Sequence, residues 1–185
     1  MPKVSAEHTE ARRRQILEGA QRAFARYGYD GATVAKIEEE TNLSRGAIFN
    51  YFDSKQDLFV ELAVEASRQY TQVIIDKGVD AAVRAMAAED PAWLGVLLEA
   101  HARLRHDPEF TQKLDAAYET ASPRLGPWIE ARQADGTFRD DVEAVDLGRY
   151  VSIVLNGFAL RVLAGEEFDV DALLRLVNDA LAPRK

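Results

Sequence analysis

Residues 33–55 read TVAKIEEETNLSRGAIFNYFDSK, and this stretch decides the fold. Val34, Ala35 and Ile37 supply an apolar face at helical spacing. Thr33, just after Gly31, is a good N-cap for that first short helix. Asn42 tolerates the left-handed conformation a tight turn needs, and Leu43 can fill the space beneath it. Ser44 then caps a second helix over 44–52, with Ile48, Phe49 and Phe52 directed inward. The pattern is helix, tight turn, helix, and a cap into a further helix starting at Lys55.

The outward face of the second helix carries Arg45, Gly46, Ala47, Asn50 and Tyr51. It offers one cation, small residues that permit close approach, an amide and an aromatic hydroxyl. A helix that enters a major groove needs small residues at its amino end and hydrogen-bonding groups beyond them. A surface helix with no partner more often carries Glu and Lys pairs. An ordinary helical hairpin remains the alternative at this point.

The run GYDGATV followed by LSRGAIFNYFDSK resembles the N-terminal domain of TetR-family (tetracycline-repressor-like) transcriptional regulators. The match covers about 13–62, and Phe49 stands where the family often has Tyr. The resemblance implies that Thr33 and Lys55 meet phosphates at helix N-termini, where free N–H groups and the helix dipole favour anions. The segments RRRQILEGA and SRGAIF are also similar to actinobacterial regulators of aconitase. That narrower likeness implies a repressor of central metabolism that responds to an organic acid.

The chain has 185 residues, enough for one substantial core or for a small domain plus a larger one. With 47% hydrophobic and 29% charged residues it has the composition of a soluble globular protein. There is no cysteine, which excludes disulfides and thiolate metal sites in this chain. The first residues, MPKVSAEH, lack an apolar signal core, and no apolar run is long enough to span a bilayer. A cytoplasmic protein without membrane contact is expected.

The formal net charge of −8 is unevenly divided. Residues 1–55 hold nine Lys/Arg against eight Asp/Glu; residues 56–185 hold fourteen against twenty-three. The cations Lys3, Arg12, Arg13, Arg14, Lys36, Arg45 and Lys55 are therefore gathered where a phosphate backbone can be met. The acidic remainder would repel DNA and help orient the protein.

In chain order, residues 1–8 read as an arm and 9–27 as a helix capped by Thr9, with Ile16, Leu17, Ala20, Phe24 and Tyr27 at spacings of three and four. Gly28 closes that helix. The next helix, 55–75, carries Leu58, Phe59, Leu62, Ala63, Ala66 and Tyr70 and ends at Asp76-Lys77-Gly78. No strand pattern follows. Helices are expected over 79–88, from Pro91 with Asp90 as cap, and from Pro108, the last of these kinked or divided near Ala121-Ser122 by Pro123 and Pro127. Residues 134–137 form a turn. The helices 145–163 and 169–181 are the most apolar, and the first is apolar on most sides, which predicts burial on two faces. The resemblance implies that these last two helices pair with their twofold mates as a four-helix bundle.

No HExxH, glycine-rich phosphate loop or GxSxG turn occurs, so nothing supports an enzyme, and no cofactor or metal is expected. The resemblance implies an effector pocket in the second domain. Its candidates are His101 and Arg105, one turn apart, with Tyr118, Trp128, Tyr150, Asn156 and Arg161. Each also has a plain reading: Trp and Tyr as core, His101 as a satisfied histidine, Asn156 as an interface hydrogen bonder.

The expected protein is all-α. Residues 1–54 form a three-helix helix-turn-helix DNA-binding domain, and 55–185 a helical effector-binding and dimerisation domain. It is read as a homodimeric, ligand-responsive repressor of a palindromic, double-stranded operator. Arg45 and Asn50 read bases, Thr33, Lys36, Tyr51 and Lys55 position phosphates, and Ser44, Gly46 and Ala47 lie in the groove. A small-molecule effector releases it. A TetR-like activator is not separated from a repressor by sequence, and a helical enzyme and a protein-interaction adaptor are the readings from other classes.

Overall fold

The structure, a computed structural model, describes residues 6–103, 106–121 and 125–184. Lys3, Arg105 and Pro123 lie outside the described residues. The described residues form helices α1 (Ala6–Gly31), α2 (Val34–Thr41), α3 (Arg45–Phe49), α4 (Lys55–Lys77), α5 (Val79–Ala87), α6 (Pro91–Arg103), α7 (Pro108–Ala121), α8 (Leu125–Ala134), α9 (Ala144–Leu163) and α10 (Val170–Leu181). No strand occurs among them. They gather into two compact units, one of Met1–Val64 and Gly95–Ala117, the other of Glu65–Leu94 and Tyr118–Lys185.

The first unit is built on α1, whose apolar stripe Ile16, Ala20, Ala23 and Phe24 is fully buried. α1 starts at Ala6, so Thr9 lies inside the helix rather than capping it, and 6–8 belong to the helix rather than to an arm. Gly28 has φ 67, a value that favours glycine, and it bends the chain before one further turn ending at Gly31. That bend brings Tyr29 under the core. Phe24 stacks on Tyr29 at 5.8 Å between ring centroids, and Phe59 of α4 meets both rings edge-on at 5.1 and 4.7 Å. Phe110 of α7 adds a fourth ring, 6.0 Å from Phe59. Each fully buried Phe contributes about 1.5–3 kcal/mol.

Polar contacts complete the unit. Glu99 of α6 accepts the Tyr29 N–H at 3.0 Å. Ser54 caps α4: its hydroxyl oxygen accepts the Asp57 N–H at 3.1 Å and its O–H donates to the Asp57 carboxylate at 2.7 Å. Lys113 of α7 reaches the other oxygen of Asp57 at 2.9 Å. Partial burial pushes the Asp57 carboxyl up, but the Ser54 and Lys113 hydrogen bonds outweigh it, leaving the group below the usual carboxylate range.

In the second unit α9 packs against α5 and α8, with Gly148 facing Ile129. The α8–α9 connection is fastened to the end of α10: the Arg139 N–H donates to the Leu181 carbonyl at 2.8 Å, and its guanidinium binds Asp141 through two contacts of 2.7 Å. Asp169 caps α10 by accepting the Ala172 N–H at 2.9 Å. Tyr70 donates to Glu89 at 3.2 Å; burial, then that carboxylate, push its phenol above the ordinary range.

α9 corrects one expectation. Leu147, Val151, Leu155 and Phe158 are buried on one face, whereas Val145, Ile153, Leu160 and Leu163 are exposed on the other. In a single chain the helix is covered on one side only. Ala35 is likewise exposed, leaving Ile37 as the buried apolar residue of α2, beside the buried Thr41.

α1 and α2 approach closely at Gly19. A Cβ there would lie 2.4 Å from Thr41 Cγ2 and 2.9 Å from Thr41 Cα. Because the second atom is backbone, α2 must move to admit it. Gly19→Ala is therefore expected to destabilise the protein by about 1–3 kcal/mol despite its better helix propensity, as measured by urea unfolding.

Candidate nucleic-acid interface

The turn between α2 and α3 forms as its residues dictate. Asn42 is the one non-glycine residue with positive φ among the described residues (φ 55), and its N–H and that of Leu43 both bond the Glu38 carbonyl. Thr41 is buried, and its hydroxyl donates to the Ile37 carbonyl at 2.8 Å. Ser44 is extended, and its oxygen accepts the Ala47 N–H at 3.4 Å.

α3 is shorter than the 44–52 helix expected. It comprises Arg45–Phe49, and Asn50 is its C-cap. Ile48 and Phe52 are buried, as the spacing requires, but Phe49 is only half-buried and lies 5.7 Å beneath the Arg45 guanidinium. Phe52 lies beyond the end of α3, and Arg13 covers its ring at 4.5 Å. Ser44, Arg45, Gly46 and Asn50 are exposed, and Ala47 and Tyr51 are half-buried.

Thr33 caps α2 by accepting the Lys36 N–H at 3.4 Å. Lys36 Nζ donates to the Gly31 carbonyl at 3.1 Å and sits 3.9 Å from the Tyr27 ring centroid. Lys55 repeats the device: its Nζ donates to the Tyr29 carbonyl at 2.8 Å and sits 4.3 Å from the Tyr29 ring. Each ammonium is held by a carbonyl and an aromatic face in the first turn of its helix. Tyr27 and Tyr29 were missed as seats for these lysines; their place either side of Gly28 was the available signal. Glu38 was missed too. Its carboxylate accepts the Arg45 N–H, the first amide of α3. No spacing rule in the sequence marks a side chain that caps the following helix.

Of the effector candidates, Trp128, Tyr150, Asn156 and Arg161 have described side chains. Trp128 meets Phe138 edge-on at 5.4 Å and lines an open cavity of about 440 Å³ with Lys77, Asp80, Arg132, Thr137 and Asn178. Its Nε1 is buried, with no hydrogen-bond partner among the described residues. Asn156 is elsewhere. It falls between Ile153 and Leu160 on the exposed apolar stripe of α9. Arg161 pairs with Glu166 at 2.8 Å. The side chains of His101 on α6 and Tyr118 on α7 lie outside the described residues, as does all of Arg105. Among the described residues no three His, Asp or Glu side chains converge as a metal-holding group, and no helix is long and apolar enough to cross a membrane.

Residues 16–62 match the model of the bacterial regulatory proteins of the tetR family. The chain is 40% identical over 185 residues to the HTH-type transcriptional repressor Rv1474c of Mycobacterium tuberculosis, covering 98% of each chain. It is 36% identical over 184 residues to the HTH-type transcriptional repressor AcnR of Corynebacterium diphtheriae, covering 98% of this chain and 97% of that one. These relatives are named as transcriptional repressors and not as enzymes. Among solved structures, Salmonella enterica GusR superposes with a TM-score of 0.73 at 20% identity, over 97% of this chain and 98% of that one.

Gly46 is not required by the packing. It has no positive φ, it is exposed, and a Cβ added to it meets nothing within 4 Å. A glycine inside a helix costs about 0.5–1 kcal/mol relative to alanine. Gly46→Ala is therefore expected to raise the thermal midpoint. If glycine is kept there for close approach of DNA, the same variant loses affinity for duplex DNA in a titration.

Proposed function

Because the chain belongs to the tetR family of bacterial regulatory proteins, we propose that it is a homodimeric transcriptional repressor that reads a palindromic operator through α3. One observation carries this reading. α3 presents Arg45, Gly46 and Asn50 to solvent, with Lys36 and Lys55 seated in the first turns of the helices before and after it. Arg45 and Asn50 read base edges; Ser44, Gly46 and Ala47 allow the backbone to come close. Thr33, Lys36, Tyr51 and Lys55 position the phosphates. On this functional division, 1–54 bind DNA, and 55–185 dimerise and bind the effector. The protein works in the cytoplasm.

The exposed face of α9 and α10 supports a dimer. Ile153 is 69% exposed, Leu160 54% and Leu176 64%, with Val145, Leu163 and Leu173 beside them. A second copy covers an apolar face of this kind, and a twofold pair matches two half-sites. Asn156, in the middle of the α9 stripe, then serves as an interface hydrogen bonder. A small molecule held in 55–185, with His101, Arg105, Tyr118 and Trp128 as candidate contacts, favours a conformation whose two reading helices no longer fit both half-sites. The near full-length likeness to repressors named AcnR favours a narrower reading, a repressor of a central-metabolism gene that answers to an organic acid.

Selection of duplexes from a randomised pool tests the reading; a palindromic consensus is expected. Arg45→Ala should lower affinity for that duplex about tenfold or more while leaving the thermal midpoint unchanged, since Arg45 is exposed. Unchanged affinity would overturn the assignment. Ile153→Asp combined with Leu176→Asp should convert a dimer to a monomer in sedimentation. A wild-type protein that sediments as a monomer would remove the dimer from the proposal.

A further inference from the structure

Glu38 does two things in the turn. Its carbonyl takes the N–H groups of Asn42 and Leu43 and, at 3.2 Å, the hydroxyl of Thr41. Its side chain crosses to α3 and accepts the Arg45 N–H. One residue of α2 thus closes the turn and holds the first amide of the next helix.

The second contact matters because α3 has so little else. It is five residues long, below the length at which a helix sustains itself, and Ile48 is its buried residue. Its own cap is weak: Ser44 takes the Ala47 N–H at 3.4 Å, the outer limit of a hydrogen bond. The Glu38 contact is charge-assisted, and such bonds are about twice as strong as neutral ones. The amide it holds is that of Arg45, whose guanidinium rests over Phe49. A shift of the amino end of α3 therefore moves Arg45 directly.

We infer that Glu38 is a positioning residue for base reading: through the Arg45 amide, it sets where α3 presents the Arg45 side chain. This rests on the repressor reading above. A carboxylate on a surface that meets phosphates opposes binding to any duplex, so its retention there needs a compensating gain. Orientation of Arg45 supplies one, felt on the selected sequence and not on others.

The test uses the full-length protein, the duplex selected by the wild type from a randomised pool, and a scrambled duplex of equal length. Glu38→Gln and Glu38→Ala remove the same charge, so both should bind the scrambled duplex somewhat more tightly. Gln keeps an oxygen that can accept the Arg45 N–H, and Ala does not. The ratio of selected to scrambled affinity should fall about tenfold in Glu38→Ala and by no more than about threefold in Glu38→Gln. Both are measured well below the thermal midpoint of each variant. An unchanged ratio in Glu38→Ala, or an equal fall in both variants, overturns the inference. A wild type that selects no duplex overturns the repressor reading, and this inference with it.

Discussion

A helix of five residues cannot hold itself, because the entropy of fixing its first turn is not repaid within so short a run. α3 is such a helix, and the first unit supplies what it lacks. Ile48 and Phe52 anchor it from below, both buried. The approach of α1 to α2 at Gly19 and Thr41 fixes α2, and α2 in turn fixes the tight turn through Thr41, Asn42 and the Glu38 carbonyl. The support of α3 thus traces back to α1.

The same economy governs the lysines. Lys36 and Lys55 are far apart in sequence, yet each has a tyrosine ring beneath it and a carbonyl to bond. The bend at Gly28 makes both seats, since Tyr27 lies just before it and Tyr29 just after. Tyr29 also belongs to the buried aromatic cluster with Phe24 and Phe59. The placement of Lys55 is therefore tied to core packing and not only to its own helix. An ammonium held this way loses less side-chain entropy when it meets a phosphate than one that sweeps freely.

Two glycines carry opposite information. Gly19 is demanded from inside, because any side chain would strike Thr41. Gly46 faces open space and answers to nothing in the chain. An exposed helical glycine without an internal reason points to a demand from outside, and it lies next to Arg45. The apolar stripe of α9 follows the same logic on a larger scale: Ile153, Leu160 and Leu163 are exposed, with nothing among the described residues to cover them.

The sequence alone determined the helical class, the helix-turn-helix at 33–55, the left-handed turn at Asn42, the caps Thr33 and Ser44, and the exposed Arg45 and Asn50. All of these are local. Period, capping chemistry and turn preference act within a few residues of one another and need no fold to be read. What escaped was decided over longer distances. Phe52, beyond the end of α3, is buried and covered by Arg13 of α1, a partner distant in sequence. The capping of α3 came from a carboxylate on α2. The two-faced character of α9 split into one covered side and one bare side only once α5 and α8 had taken their places. Trp128 lies at a cavity and Asn156 on an apolar stripe, surroundings that residue type does not foretell. Periodicity tells which residues share a face. Only packing decides which neighbour, if any, that face meets.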